Sequence, residues 1–306
     1  MKTLIENELL LVRSETSGAQ LLGITAKADG TEYLWHGDPK HWGRSAPILF
    51  PTVGTSANGI RVGGQAYPIK QHGFARDSEF KLTAVSPTGV TYTLTDSEST
   101  RRVYPFAFAL DISYTLQGNV LAVGHRVTNS GDHDLWFQLG AHPAFLCPLD
   151  QGFALNQYRI RFDHAQTLSR RMLNPETSLV DDRSEVVLDN TDVLPLTEHT
   201  FDDGALILED IAGDAVTLEA PDGGRSVTVR FPGWPMLGLW APPGAPFVCI
   251  EPWFGRADDE GFAADISEKC GVRKLAAGEA FDAAYEIIIG IADGNAAKTV
   301  QKGDPI

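Results

Sequence analysis

A period-two alternation of apolar and polar residues is the feature that most constrains the fold of this chain. Apolar side chains occupy every second position in 108–116 and again in 121–127, with Gln-Gly-Asn at 117–119 between the two runs. The stretches 82–94 and 227–231 alternate in the same way beside Gly- and Pro-containing turn sequences. Because successive side chains of a strand point to opposite faces, each run predicts a β-strand with one buried face.

Few segments follow the period of a helix. Only 260–269 and 175–182 predict short helices, and 30 glycines and 18 prolines are spread along the chain. Strands and helices do not alternate regularly, which argues against a parallel α/β sheet. We therefore predict an all-β protein: one large β-sandwich domain over 1–291 with few short helices, followed by a polar, flexible tail at 292–306.

Charge and cysteine content narrow the partners and the compartment. The net charge of −15 argues against nucleic acid and anionic lipid as partners. No uncharged apolar run approaches membrane-spanning length, and the acidic residues within 6–8 interrupt any signal-peptide core. Three dispersed cysteines without a Cys-x-x-Cys pair predict a reduced, cytoplasmic setting.

Three segments carry residue types suited to proton-transfer chemistry. They are 137–145 (Phe-Gln-Leu-Gly-Ala-His-Pro-Ala-Phe), 71–76 (Gln-His-Gly-Phe-Ala-Arg) and 250–256 (Ile-Glu-Pro-Trp-Phe-Gly-Arg). In the first, Pro143 favours an extended conformation at the preceding histidine, and Gly140 leaves room for a close approach to the backbone. Since histidine exchanges protons near neutral pH, we predict that the three segments meet in one pocket.

Each candidate also has a purely structural interpretation. Glu251 ends an apolar strand and precedes Trp253, so burial should raise its pKa and suit it to general base catalysis. Alternatively it pairs with a nearby arginine such as Arg256. His142 and His72 could likewise be histidines that only hydrogen-bond to backbone. The alternation places a further histidine, at 125, on an apolar strand face, where we predict that its hydrogen bonds are satisfied.

Two histidines and a carboxylate could in principle bind a metal ion. His72, His142 and Glu251 have none of the short spacings typical of such sites, so we predict no metal and no cofactor. Aromatic residues near the three segments could instead stack on a sugar ring, although core packing explains them equally well. These residues are Trp35, Trp42, Phe74, Phe145, Trp253 and Phe254.

Five motifs in this order resemble those of the aldose 1-epimerase (galactose mutarotase) family, in particular its shorter, LacX-like bacterial branch. The resemblance extends over about 4–290. The motifs are Trp-Gly-Arg-Ser-Ala-Pro-Ile-Leu-Phe-Pro at 42–51, His-Gly-Phe-Ala-Arg at 72–76, Gly-Ala-His-Pro-Ala-Phe at 140–145, Ile-Glu-Pro-Trp-Phe-Gly at 250–255 and Phe-Asp-Ala-Ala-Tyr-Glu-Ile at 281–287.

The resemblance implies a galactose mutarotase-like β-sandwich that interconverts the α and β anomers of a free aldose without a cofactor. It implies that Glu251 removes the proton from the C1 hydroxyl, that His142 donates a proton to the ring oxygen, and that His72 polarises the ring-oxygen region. Further residues are expected to bind the substrate. They are Arg44, Arg76, Asp203, Trp253 and Phe145.

Other functions stay open at this point. A hexose-6-phosphate 1-epimerase would need several cationic side chains at the pocket rim, for which Arg44, Arg76 and Arg256 are available. A non-catalytic carbohydrate-binding protein, or a member that has lost activity and acts as a regulator, would share the fold. In each case the expected partner is a small sugar, and we expect a monomer or a homodimer.

Overall fold

The computed structural model describes residues 1–150, 152–220 and 223–290, and within them the prediction of an all-β fold is confirmed. The predicted tail at 292–306 lies outside the described residues. The strands are β1 Lys2–Glu6, β2 Leu10–Glu15, β3 Leu21–Ala26, β4 Ile48–Leu49, β5 Ile60–Val62, β6 Gln65–Tyr67, β7 Lys81–Ser86, β8 Gly89–Thr95, β9 Phe108–Gln117, β10 Val120–Asn129, β11 Leu135–Phe137, β12 Leu139–Ala141, β13 Ala144–Leu146, β14 Arg159–Leu173, β15 Val180–Pro195, β16 Leu206–Glu209, β17 Ala215–Glu219, β18 Ser226–Arg230, β19 Met236–Trp240, β20 Phe247–Phe254, β21 Arg273–Leu275 and β22 Ala280–Gly290.

One large sheet forms most of the molecule. Its strands follow the order β4-β12-β20-β19-β16-β14-β17-β18-β22-β10-β9-β8-β7, with β13 paired to β20 and β15 paired to β14. A separate sheet contains β1, β2 and β3, and two short pairs are formed by β5 with β6 and β11 with β21. Within the described ranges, the named strands all pair antiparallel, which fits the short turns between consecutive strands.

The predicted hairpins are present with the predicted faces. β9 pairs with β10 from Gln117 opposite Val120 to Phe108 opposite Asn129, and the apolar set of both strands is buried. β7 and β8 form the next hairpin. The apolar faces line one core because each strand buries every second side chain.

Of the two predicted short helices, the structure contains part of one and not the other. The segment 260–269 contains a single 3₁₀ turn, Ile266–Glu268, whereas the helix predicted at 175–182 is wrong. That segment is a turn followed by the start of β15, where the Val180 N–H donates to the carbonyl of Asp258 at 2.9 Å. Strand pairing across the sheet here overrides a weak local preference. The remaining short helices are α1 Glu98–Arg101 and the 3₁₀ turns Ala75–Asp77 and Leu155–Gln157.

Strand β20 positions the candidate site. All eight of its residues are buried, and it lies between β19 on one side and β12 and β13 on the other. Its charged member, Glu251, is therefore held rigidly inside the protein. Among the described residues, no helix has the length and apolar character needed to cross a membrane.

Candidate active site

The three predicted segments meet around one cavity of about 300 Å³. This is enough for a small ligand, at the lower end of the usual range for such sites. The lining residues are Trp42, Val53, Gly54, Thr55, Gln71, His72, Arg76, His142, Leu173, Ser178, Gly204, Ala205, Ile207, Trp240, Glu251, Trp253 and Ala257.

His142 lies in the tight connection between β12 and β13, where Pro143 follows it. Its ring stacks on Trp42, with centroids 4.8 Å apart and an interplanar angle of 28°. Trp240 and His72 each meet it edge-on, with ring centroids 5.7 Å away. Aromatic packing on three sides thus fixes the orientation of the imidazole.

Glu251 contacts this imidazole directly. Its Oε2 lies 3.3 Å from Nδ1 of His142, and the two side chains are 1% and 8% exposed. The geometry is not that of a hydrogen bond, since both atoms are without a partner among the described residues. Burial raises the pKa of Glu251 well above its ordinary value and, with the nearby His72 and Arg76, lowers the pKa of His142.

His72 is held by the backbone of a neighbouring loop. It has a left-handed φ of 63°, and its N–H donates to the carbonyl of Gly54 at 2.9 Å. In return, the Gly54 N–H donates to Nδ1 of His72 at 3.0 Å. Burial and the charges of Arg76 and Arg44 lower the pKa of His72, so its ring is neutral. Because Nδ1 accepts a hydrogen bond, the ring proton is on Nε2.

Trp253 covers one wall of the cavity by lying across two neighbouring strands. It pairs in register with Gly140 on β12 and with Met236 on β19. A Cβ placed on Gly140 would come within 2.8 Å of the indole, and one on Gly238 would overlap the far side of the same ring. The close approach predicted at Gly140 is therefore that of Trp253, and Gly238 is its counterpart on the other side.

Of the two arginines expected to bind the substrate, one lines the cavity and the other does not. Arg76 lines the cavity, while its Nη2 donates to the carbonyl of Gln71 at 2.7 Å. Arg44 is not a lining residue: it pairs with Asp77 at 2.7 Å and donates to the carbonyl of Arg76 at 3.3 Å. Arg44 thus braces the backbone of the residue that faces the cavity.

Two further predicted residues also lie outside the lining. Asp203 is two-thirds exposed and pairs with Arg170 at 3.1 Å, although its successors 204 and 205 reach the cavity. Phe145 is fully buried in the core. Sequence reasoning missed Trp240, which ends the apolar strand β19 just before an Ala-Pro-Pro-Gly turn. Its position at the end of an apolar strand, just before the strand that carries Glu251, was the feature of the sequence that could have identified it.

Three buried polar atoms at the cavity wall lack hydrogen-bond partners in the described part of the chain. They are Nδ1 of His142, Oε2 of Glu251 and Nε1 of Trp253. The indole N–H of Trp253 lowers the pKa of Glu251 and so acts against the larger effect of burial, but it makes no well-aligned hydrogen bond with that carboxyl. Each unpartnered group costs about 1–3 kcal/mol, so three side by side indicate a site built for a polar ligand.

Comparison with known proteins agrees with this geometry. Residues 1–270 match the family model described as aldose 1-epimerase. The chain belongs to the aldose 1-epimerase family. It is 34% identical over 295 residues to the plasmid-encoded protein LacX of Lactococcus lactis subsp. lactis, an alignment that covers 93% of this chain and 98% of LacX.

Two solved structures extend the agreement to three dimensions. A galactose mutarotase related enzyme from Lactobacillus acidophilus superposes with a TM-score of 0.90 at 31% identity, covering 96% of this chain and 99% of that one. A galactose mutarotase-like protein from Lactobacillus casei gives 0.88 at 32% identity, covering 95% and 100%. The predicted family and β-sandwich fold are confirmed, and together they support a carbohydrate epimerase.

Proposed function

We propose that this protein is an aldose 1-epimerase that interconverts the α and β anomers of a free aldohexose, with Glu251 as general base and His142 as general acid. The observation that carries the proposal is the buried contact between these two side chains, both unpartnered, at the wall of a sugar-sized cavity. The reaction needs a base at O1 and an acid at O5. Since both oxygens are bonded to C1, the two groups must be close neighbours.

The charge state of the pair suits this chemistry. Burial favours the uncharged forms, a carboxylic acid beside a neutral imidazole, which together hold one exchangeable proton. Transfer of that proton from Glu251 to His142 gives a carboxylate and an imidazolium, and the pair remains neutral overall. A bound sugar, by offering hydrogen bonds to both groups, stabilises this reactive arrangement.

The cycle then balances without any other reagent. Glu251 accepts the O1 proton, His142 donates a proton to O5, and the C1–O5 bond breaks to give the open-chain aldehyde. After rotation about C1–C2, O5 attacks the other face of C1 while His142 takes back the O5 proton and Glu251 returns its proton to O1. Each side chain ends in its starting state.

The other lining groups have roles in binding. The Nε2–H of His72 is a fixed donor for an oxygen at the reacting end of the sugar, because backbone contacts with Gly54 hold its tautomer. Trp253 and Trp42 offer aromatic faces for the C–H surface of a pyranose. Holding the sugar in this way keeps C1 beside the acid–base pair.

The charges of the lining favour a neutral sugar over a sugar phosphate. Arg76 is the one arginine among the described lining residues, and these include no lysine. Arg44 and Arg256, the other predicted rim cations, pair with carboxylates instead: Arg44 with Asp77, and Arg256 with Glu209 at 2.7 Å. A phosphate dianion normally requires more than one free cation.

The test is anomer exchange followed by polarimetry or NMR on freshly dissolved α-D-glucose and α-D-galactose, with their 6-phosphates as a second arm. We expect acceleration with the free sugars and a loss of about 10²–10⁴-fold in Glu251→Gln, with sugar binding retained. His142→Asn should lose a comparable amount, and His72→Asn less. Glu219→Gln is the matched control, since this half-buried glutamate lies outside the cavity lining and pairs with Arg159.

Three results would each contradict part of the proposal. Sugar binding by the parent without any acceleration would favour a binding protein. Acceleration confined to the 6-phosphates would make the protein a hexose-6-phosphate epimerase. Unchanged activity in Glu251→Gln would remove the assignment of the base.

A further inference from the structure

We propose that His142, Cys249 and Glu251 form a binding site for Zn²⁺ or a similar borderline-soft divalent cation, and that occupancy of this site blocks the acid–base pair. The blocking effect rests on the proposed function, whereas binding of the cation does not.

Strand geometry brings the three donors together. Cys249 and Glu251 are two positions apart on β20, so their side chains point to the same face. Pro143, next to His142, accepts a backbone hydrogen bond from β20 through its carbonyl, donated by the N–H of Ile250 at 3.2 Å. One nitrogen, one sulfur and one carboxylate oxygen consequently lie within 4.8 Å of one another, and all three residues are buried.

Two of these three side chains carry a polar atom that points to a missing ligand. Nδ1 of His142 and Oε2 of Glu251 are unpartnered in the described part of the chain, and both side chains are more than nine-tenths buried. The triad considered from the sequence, for which no metal was predicted, included His72, whose Nδ1 already accepts a hydrogen bond from the N–H of Gly54. Cys249 replaces it in the cluster that the fold assembles.

The dimensions suit zinc. Three atoms within 4.8 Å of one another share a central point at most about 2.8 Å from each, whereas Zn–S and Zn–N distances are about 2.3 and 2.0 Å. Shifts of about half an ångström complete the shell. His142 and Glu251 line the cavity, so a water molecule there can supply the fourth ligand. Imidazole, thiolate and carboxylate together are a typical zinc donor set.

Binding has a simple proton balance and a clear consequence. The thiol of Cys249 and the carboxylic acid of Glu251 each lose a proton to solvent, and the charge of the cation compensates the buried thiolate and carboxylate. With the metal bound, Glu251 cannot accept the O1 proton, and His142 cannot exchange a proton through Nδ1. We therefore expect micromolar zinc to abolish anomer exchange reversibly, with recovery on adding a chelator.

The experiment uses the full chain without an affinity tag and Co²⁺ as a spectroscopic probe. A thiolate-to-cobalt charge-transfer band with tetrahedral visible bands should appear at one equivalent, and Zn²⁺ should displace it. Cys249→Ala should remove the band and weaken Zn²⁺ affinity, measured by calorimetry, by at least about tenfold. Cys147→Ala is the matched control, since Cys147 is an equally buried thiol outside this cluster.

Activity is then measured with and without zinc, each variant being compared with its own zinc-free rate. Loss of inhibition in Cys249→Ala together with the loss of the cobalt band would support the site. Absence of a saturable band in the parent, or an unchanged band in Cys249→Ala, would overturn it even if the enzyme is active. A clear cobalt band in a protein without epimerase activity would keep the site and contradict the proposed function.

Discussion

Trp253 packs against two glycines, and we predict that an alanine at each would destabilise the protein by a different amount. A Cβ added at Gly238 would lie 2.9 Å from Cε2 of the indole and nearer still to two other atoms of the same ring, whereas real Cβ atoms essentially never approach within 3.0 Å. At Gly140 the nearest indole atom would be 2.8 Å away and the side chain of Leu49 3.0 Å. The ring cannot slide freely because each glycine bounds one side of it.

The expected magnitudes follow from these overlaps. Overpacking a tight core costs about 1–3 kcal/mol. We expect Gly238→Ala to cost about 2–3 kcal/mol of unfolding free energy and Gly140→Ala about 1 kcal/mol. Gly131→Ala is the control: its Cβ would meet Ala107 at 3.4 Å, an ordinary contact, and it should cost less than about 0.5 kcal/mol. Urea unfolding monitored by tryptophan fluorescence measures all three.

A double-mutant cycle tests whether overlap with the indole causes the loss of stability. Trp253→Phe removes the part of the indole that Gly238→Ala would strike, so the double variant should be more stable than the sum of the single effects by at least about 1 kcal/mol. Displacement of the aromatic wall by about an ångström also misplaces a bound sugar. We therefore expect kcat/KM of Gly238→Ala to be about 10- to 100-fold lower than that of the parent.

Two results would contradict this packing: a Gly238→Ala variant no less stable than Gly131→Ala, or an effect that is additive with Trp253→Phe. Either result would mean that the indole moves away at no cost. The stability arms do not depend on the proposed activity, so they test the packing alone.

Two further predictions concern buried charge. Burial lowers the pKa of His125 to about 4, and neither ring nitrogen has a hydrogen-bond partner among the described residues, contrary to the satisfied histidine expected from the sequence. Below pH 6.5 this histidine is protonated in the unfolded chain but not in the folded one, so the free energy of unfolding falls as the pH is lowered. Between pH 7 and pH 5, the free energy of unfolding of His125→Leu, measured with urea, should therefore rise by about 2 kcal/mol relative to that of the parent. An unchanged difference between the two proteins would contradict this prediction. Lys269 pairs with Asp258 in the interior, both side chains being at most 2% exposed, so Lys269→Met should cost about 3–5 kcal/mol by urea unfolding. The exposed control Lys274→Met should cost less than about 1 kcal/mol, and equal costs would contradict the argument.

The fold class could be predicted from the sequence, as could the three segments that meet around the cavity. Alternation of apolar residues is a local property of the backbone, which is why β9 and β10 could be assigned with their buried faces. The segments around His72, His142 and Glu251 were recognisable because small residues, prolines and aromatics surround them in the chain. The segment 175–182 was wrongly predicted as a helix, since its conformation depends on the bridge between Val180 of β15 and the distant Asp259.

Which individual side chains share the cavity could not be predicted in the same way, because it depends on long-range packing. The direct contact of His142 with Glu251, the exclusion of Arg44 from the cavity lining, and the burial of Phe145 all depend on how the chain packs in three dimensions. Residues more than 100 positions apart become neighbours through pairings such as that of β12 with β20, and no local pattern records that distance. Hydrophobic burial determines which strands pack together, and the positions of the polar side chains on those strands follow from that packing.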